Sequence, residues 1–151
     1  MQSTYATESQ KRIEEMLSKL KSRDFRITPQ RLAILRILAS SDRHPSVDDI
    51  YEEVKAEFPT TSLATVYKTV SLLKELSEVQ ELGFPDGSNR YDGHKPGPHP
   101  HVICMKCKKI MDPELMNVDA LSEEMSLKTG YKIFHHSLEF FGLCPECQQK
   151  N

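Results

Sequence analysis

Four cysteines fall in two C-x-x-C pairs, Cys104-Met-Lys-Cys107 and Cys144-Pro-Glu-Cys147. Each pair puts two sulfurs on a tight turn, close enough to share an ion. Four thiolates satisfy tetrahedral Zn2+ completely and leave no position for a substrate, so a site of this kind is structural. Redox disulfides and unrelated free thiols are the alternatives. Placement of the pairs at the ends of facing strands favours zinc. The wide gap between the pairs means that the ion would tie the beginning of a domain to its end, and its binding energy would be folding energy.

A second group lies just upstream. The stretch YDGHKPGPHPHVICMKCKKIMD, residues 91 to 112, holds three histidines and two aspartates besides Cys104 and Cys107. On an extended strand His99 and His101 point to one side. With Asp92 and Asp112 they make a nitrogen and oxygen donor set without sulfur, which suits iron, manganese, nickel, or zinc with more than four ligands. His94 reads as an ordinary residue of the connecting segment, with a spare ligand as the alternative. His135 and His136 are adjacent on a strand and face opposite ways, so at most one could join a shared site. His44 stands in a distant polar turn, and nothing local marks it as a ligand.

These donors need elements to hold them. Ile13, Met16, Leu17 and Leu20 recur at helical spacing within residues 7 to 22. In RITPQRLAILRIL, Thr28 caps and Pro29 sits at the first helical position, with Leu32, Ile34, Leu35 and Leu38 forming the buried face. Ser46 caps a third helix that buries Val47, Ile50, Tyr51 and Val54. Ser62 caps a fourth, SLATVYKTVSLLKEL, with Leu63, Val66, Val70 and Leu73 inward. VQELGFPDGSNRYD alternates around PDGS and predicts a hairpin. Helices followed by a hairpin make a winged helix-turn-helix. The outer face of the fourth helix, Ala64, Tyr67, Lys68 and Ser71, is small, hydroxylated, cationic and aromatic, as a major-groove reader would be. A plain solvated face is the bland alternative. With Arg26, Arg31 and Thr65, these residues are the candidate DNA contacts.

GHKPGPHP, from Gly93 to Pro100, fits no helix or strand interior and predicts a hinge. Beyond it HVIC and KKIMD read as strands, Asn117 as the cap of a helix through Lys128, and GYKIFHHSLEFFGLC as one long strand. The expected organisation is α+β: a winged-helix domain over 1–90, a ligand-bearing hinge over 91–101, and a small zinc-stapled αβ domain over 102–151. A unit of about 50 residues usually needs a staple or a partner chain. The net charge of −2 argues against a general nucleic-acid binder. Between Lys11 and Arg36, however, eight basic residues face three acidic ones, and a local patch can act where the total cannot. The N-terminus lacks an apolar signal-peptide core and no apolar run is long enough to span a membrane, which predicts a cytoplasmic protein.

Six motifs extend this reading: R-I-T-P-Q-R at 26 to 31, H-P-S-V-D-D-I-Y at 44 to 51, S-L-A-T-V-Y-K-T-V at 62 to 70, N-R-Y-D at 89 to 92, H-P-H-V-I-C-M-K-C at 99 to 107 and H-H-S-L-E-F-F-G-L-C-P-E-C at 135 to 147. With them the sequence resembles the ferric uptake regulator family of metal-dependent repressors, from about Arg12 to Cys147. The resemblance implies a homodimer that binds palindromic double-stranded operator DNA. It also implies a regulatory Fe2+ or Mn2+ site made of His44, Asp92, His99, His101 and Asp112, beside the Zn2+ held by Cys104, Cys107, Cys144 and Cys147. Iron-uptake regulators more often carry glutamate at the last regulatory position; Asp112 resembles the peroxide-sensing branch. There, iron-catalysed oxidation falls on ligand histidines, by position His44 and His99, and the protein is a sacrificial sensor rather than an enzyme. A regulator of iron or zinc availability and a zinc-thiolate redox protein are the competing readings. Pro100 departs from the family where iron regulators often place an aspartate of an additional site, the run from His94 to Pro98 is unusually proline-rich, and Ser77 stands where glycine is common.

Overall fold

The computed structural model describes residues 2–40, 43–84, 86–95, 97 and 99–150, with side chains from Glu8 onward. Two compact units divide the chain, Met1–Pro96 and Gly97–Asn151. The division falls inside the segment expected to be a hinge.

The first unit consists of α1 (Gln2–Ser22), α2 (Pro29–Ser40), α3 (Val47–Glu57), α4 (Leu63–Glu75) and a hairpin of β1 (Gln80–Leu82) and β2 (Arg90–Asp92). Helices α2, α3 and α4 each start at a side-chain cap. Thr28 Oγ1 accepts from the Arg31 N–H ahead of Pro29. Ser46 and Asp49 form a reciprocal capping box on α3, and Ser62 accepts from the Thr65 N–H at the head of α4. The four helices bury one core, with Met16, Leu20, Ile34, Leu35, Leu38, Ile50 and Leu73 fully enclosed. Leu63, expected inside, is 38% exposed, whereas Thr69 is buried. Leu63 is the first residue of its helix and overhangs the core edge; Thr69 tolerates burial because its hydroxyl donates to the Thr65 carbonyl one turn back.

β1 and β2 pair antiparallel with Gln80 opposite Asp92 and Leu82 opposite Arg90. This wing is fastened to the end of α4. Glu81 accepts from Lys74 and from Asn89, and its carboxyl is held below the usual carboxylate range chiefly by the Lys74 bond, against burial. Burial, then the Glu81 charge, pushes Tyr91 up to about 12.

The second unit contains β3 (His101–Cys104), β4 (Ile110–Met111), α5 (Val118–Thr129), β5 (Glu139–Gly142) and α6 (Pro145–Gln149). The strand order is β4-β3-β5, with β4 antiparallel and β5 parallel to β3. The long strand expected from Gly130 onward is confined to β5. Residues 131–138 have no ladder partner among the described residues, although the His101 N–H reaches the Leu138 carbonyl. Asn117 does precede α5, but in a left-handed conformation (φ 68°) and without a side-chain capping bond. Among the described residues the buried apolar side chains of this unit are only Pro100, Ile103, Cys104 and Cys147. No helix of the described residues is long and apolar enough to cross a membrane.

Gly93, directly after Asp92, sits against α2 and α1. A Cβ there would lie 2.8 Å from Leu38 Cβ, and 3.1 Å from both the Leu38 carbonyl oxygen and Met16 Cε. Gly93→Ala should therefore lose about 1–3 kcal/mol of stability through overpacking, measured by urea unfolding of the metal-free protein.

Candidate metal centres

The four cysteines converge. Cys104 ends β3 and pairs in register with Gly142 of β5, so the parallel ladder brings Cys144 alongside, two residues further on. The Met105 N–H bonds the Gly142 carbonyl and locks that alignment. Lys108, in a left-handed conformation, closes the turn that returns Cys107, with its N–H on the Cys104 carbonyl. Cys144 caps α6, whose first turns carry Cys147 back. Ligand atoms of all four lie within 4.8 Å of one another, and Cys107 Sγ is 3.8 Å from Cys144 Sγ. Thiolates at about 2.3 Å from a tetrahedral ion stand about 3.8 Å apart, whereas a disulfide closes to about 2.05 Å. The cluster therefore fits Zn2+. All four cysteines are free. The backbone N–H groups of Cys107 and Cys144 pull the Cys104 thiol down to about 5, while its bond with Cys144, together with burial and the other sulfurs, pushes Cys147 up to about 12. An ion would replace this unequal sharing of protons with four equivalent charge contacts.

The regulatory candidates form one acid–imidazole group in each unit. In the first, His44 lies in the loop between α2 and α3, and Asp92 ends β2. His44 Nε2 is 3.1 Å from Asp92 Oδ2, and both side chains are buried. The other carboxylate oxygen, Oδ1, accepts the N–H groups of His94 at 3.0 Å and Lys95 at 3.2 Å, which fixes the carboxylate plane. In the second unit Asp112 lies between two rings, Oδ1 being 3.4 Å from His101 Nε2 and Oδ2 3.7 Å from His99 Nε2. The ring centroids of His99 and His101 are 4.3 Å apart. His99 Nδ1 donates to the Gly97 carbonyl at 2.9 Å, which in the neutral ring leaves the Nε2 lone pair directed toward Asp112. Imidazole and carboxylate donors without sulfur fit iron or manganese.

On α4, Ala64, Tyr67, Lys68 and Ser71 are exposed, Tyr67 to 51%. Thr65 is half-buried and its hydroxyl is 2.9 Å from that of Ser62, so it serves the cap. Arg26 is exposed; Arg31 donates to the Arg26 carbonyl at 2.8 Å.

The family model for the ferric uptake regulator family matches residues 22–141. The chain belongs to the ferric uptake regulator family. It is 40% identical over 141 residues to the peroxide-responsive repressor PerR of Staphylococcus aureus, covering 91% of this chain and 93% of that protein. PerR of Streptococcus pyogenes, whose structure was described as a basis for peroxide sensing and gene regulation, is 35% identical with a TM-score of 0.52, covering 90% of this chain and 92% of that one. The Helicobacter pylori ferric uptake regulator, at 24% identity, shares the fold with a TM-score of 0.76, covering 93% of each chain.

Three residues of this family member escaped the sequence reading. Arg12, counted in the basic stretch, is buried: it pairs with Glu15 and Glu78 and donates to the Gly93 carbonyl. His94, read as an ordinary connecting residue, donates from Nδ1 to the Ala39 carbonyl at 2.7 Å and so fastens the chain after Asp92 to the end of α2. Arg90 engages the loop of His44. The N-R-Y-D motif was the one visible signal for Arg90; the other two had none.

Cys107→Ser should reduce zinc content from one equivalent per chain to near zero. Hydrogen-exchange protection over residues 101–142 should fall while that of α2 and α4 is kept, since structural zinc contributes about 10–16 kcal/mol of apparent binding energy.

Proposed function

We propose that this protein is a homodimeric, metal-dependent transcriptional repressor that senses hydrogen peroxide. The observation that carries the reading is that each unit holds its own acid–imidazole group, in a chain 40% identical to a peroxide-responsive repressor. One Fe2+ or Mn2+ ion would be held by His44, Asp92, His99, His101 and Asp112. Because the donors belong to different units, such an ion binds one arrangement of the units better than others and shifts the population toward it, by no more than its differential affinity. Asp112 as the last ligand favours the peroxide-sensing branch. Ferrous iron, when bound, supplies the electron that reduces hydrogen peroxide and generates an oxidant beside the imidazoles of His44 and His99. The residues then act by losing donor quality: an oxygenated imidazole is a poorer ligand, the two units are released from their common pose, and repression ends. Each molecule responds once, so turnover is not expected.

Dimerisation is supported by what the second unit leaves uncovered. No residue of α5 is buried, and Met116, Leu127 and Phe134 are 89%, 87% and 84% exposed. Together with the unpaired stretch at 131–138, this apolar surface suits a second copy, which would supply the core that a unit of this size cannot build alone. In such a dimer, recognition helices about 34 Å apart would meet successive major grooves of a palindrome. The exposed face of α4 supports Tyr67, Lys68, Ser71 and Ala64 as groove contacts, with Arg26 and Arg31 toward phosphates and Thr65 at the helix head.

On a duplex selected in vitro against the manganese-loaded protein, binding should require metal. Iron-loaded protein treated with peroxide should release the duplex and carry about 16 Da extra on peptides containing His44 or His99. Release without histidine modification would point instead to a regulator of metal availability. Tyr67→Ala should keep manganese affinity and weaken duplex binding about tenfold in fluorescence anisotropy, as loss of one good groove contact costs about 1–3 kcal/mol; unchanged binding would remove Tyr67 from the interface.

A further inference from the structure

His44 holds a backbone conformation with φ of 54°, immediately before Pro45. A β-carbon makes that region unfavourable, and residues stay there only when their surroundings over-determine them. The over-determination comes from β2. Three consecutive carbonyls of the loop are captured: Arg43 accepts from Arg90 Nη2 at 2.8 Å, His44 accepts from Arg90 Nε, and Pro45 accepts from the Tyr91 N–H at 2.9 Å. The next residue of the strand is Asp92. The same three-residue strand thus presents the carboxylate and grips the loop that presents the imidazole. The Arg90 guanidinium is itself backed by the Phe84 ring, 5.8 Å from the centroid, and Phe84 is buried.

We propose that Arg90 is a positioning residue for the regulatory metal site, its planar fork clamping the 43–44 backbone so that His44 Nε2 stays within reach of Asp92. This rests on the assignment of His44 as a ligand made above. The arginine fork donates from two nitrogens, Nε and Nη2, in one rigid cationic plane; lysine would keep the charge and lose the geometry. Arg90 also borders an open cavity of about 350 Å³ lined with Arg43, Pro45, Asp49, Glu52 and Glu53, so a shorter side chain would admit water rather than leave a dry void.

The test uses the full zinc-loaded chain and Mn2+ titration, with free Mn2+ read by electron paramagnetic resonance. Arg90→Gln and Arg90→Lys should each weaken Mn2+ binding about tenfold or more, as lost outer-shell support does, with zinc content and melting temperature retained. Arg90→Gln added to His44→Ala should cost nothing further, because both act through one imidazole. After exposure to iron and peroxide, the share of oxidation on His44 relative to His99 should fall in both Arg90 variants. Wild-type affinity in the Arg90 variants while His44→Ala weakens binding would overturn the clamp alone. Full rescue by lysine, or an equal additional loss in the His44→Ala background, would also overturn it, since charge or general stability would then be the cause. Unchanged affinity in His44→Ala would overturn the ligand assignment and the clamp together.

Discussion

Asp92 and His44 are 48 positions apart in the chain, yet their side chains meet at 3.1 Å inside the helical unit. This contact depends on the attachment of a short strand to a loop. Burying a carboxylate is costly unless its oxygens find partners. Here one oxygen is filled by the N–H groups of His94 and Lys95 and the other faces an imidazole. Around it, Arg12 holds the Gly93 carbonyl, His94 holds the end of α2, and Gly93 lets the backbone pass against Leu38. Every residue from 90 to 94 therefore has a backbone or side-chain anchor in the helices or in the loop between α2 and α3, and the acid is presented with little freedom left to lose on binding an ion.

The second unit solves a different problem. Its described residues bury hardly any apolar area, with Ile103 at the centre and cysteines on either side. Hydrophobic burial on that scale cannot offset the ordering entropy of some fifty residues. Cross-linking through sulfur and covering by a second chain are the two available remedies, and the arrangement of side chains suits both. The two kinds of donor also divide the labour. Four thiolates would enclose an ion completely and hold it as part of the fold, while imidazoles and carboxylates would form a harder site suited to exchange.

Much of this was legible in the sequence because it depends on local chemistry. Thr28-Pro29, Ser46 and Ser62 start helices through bonds made within three residues, and the C-x-x-C spacing fixes pairs of sulfurs wherever the turn is placed. Legibility failed where the deciding partner lay far along the chain. Arg12 looks like any surface cation until Glu78 and Gly93 arrive from more than sixty residues away. The stretch at 131–138 has the composition of a strand, but strands need neighbours, and the described residues of one chain offer it no ladder beyond the single bond at Leu138. Leu63 stands exposed because a helical stripe specifies angle and not depth along the axis. His44 entered the candidate set only through family resemblance, since its contact with Asp92 is set by a strand that pairs with its loop and by no feature of its own neighbourhood.

The parallel alignment of β3 with β5 imposes an order on assembly. Antiparallel neighbours can zip from a tight turn, but parallel ones must wait until the intervening chain, here β4 and α5, has been laid down. On a ribosome the thiols of Cys104 and Cys107 emerge well before those of Cys144 and Cys147, 37 residues beyond the nearer of them. For that interval the nascent chain offers half a cage, so capture of an ion by all four sulfurs would have to wait for the last strand, and a shortage of zinc would leave the unit without its staple.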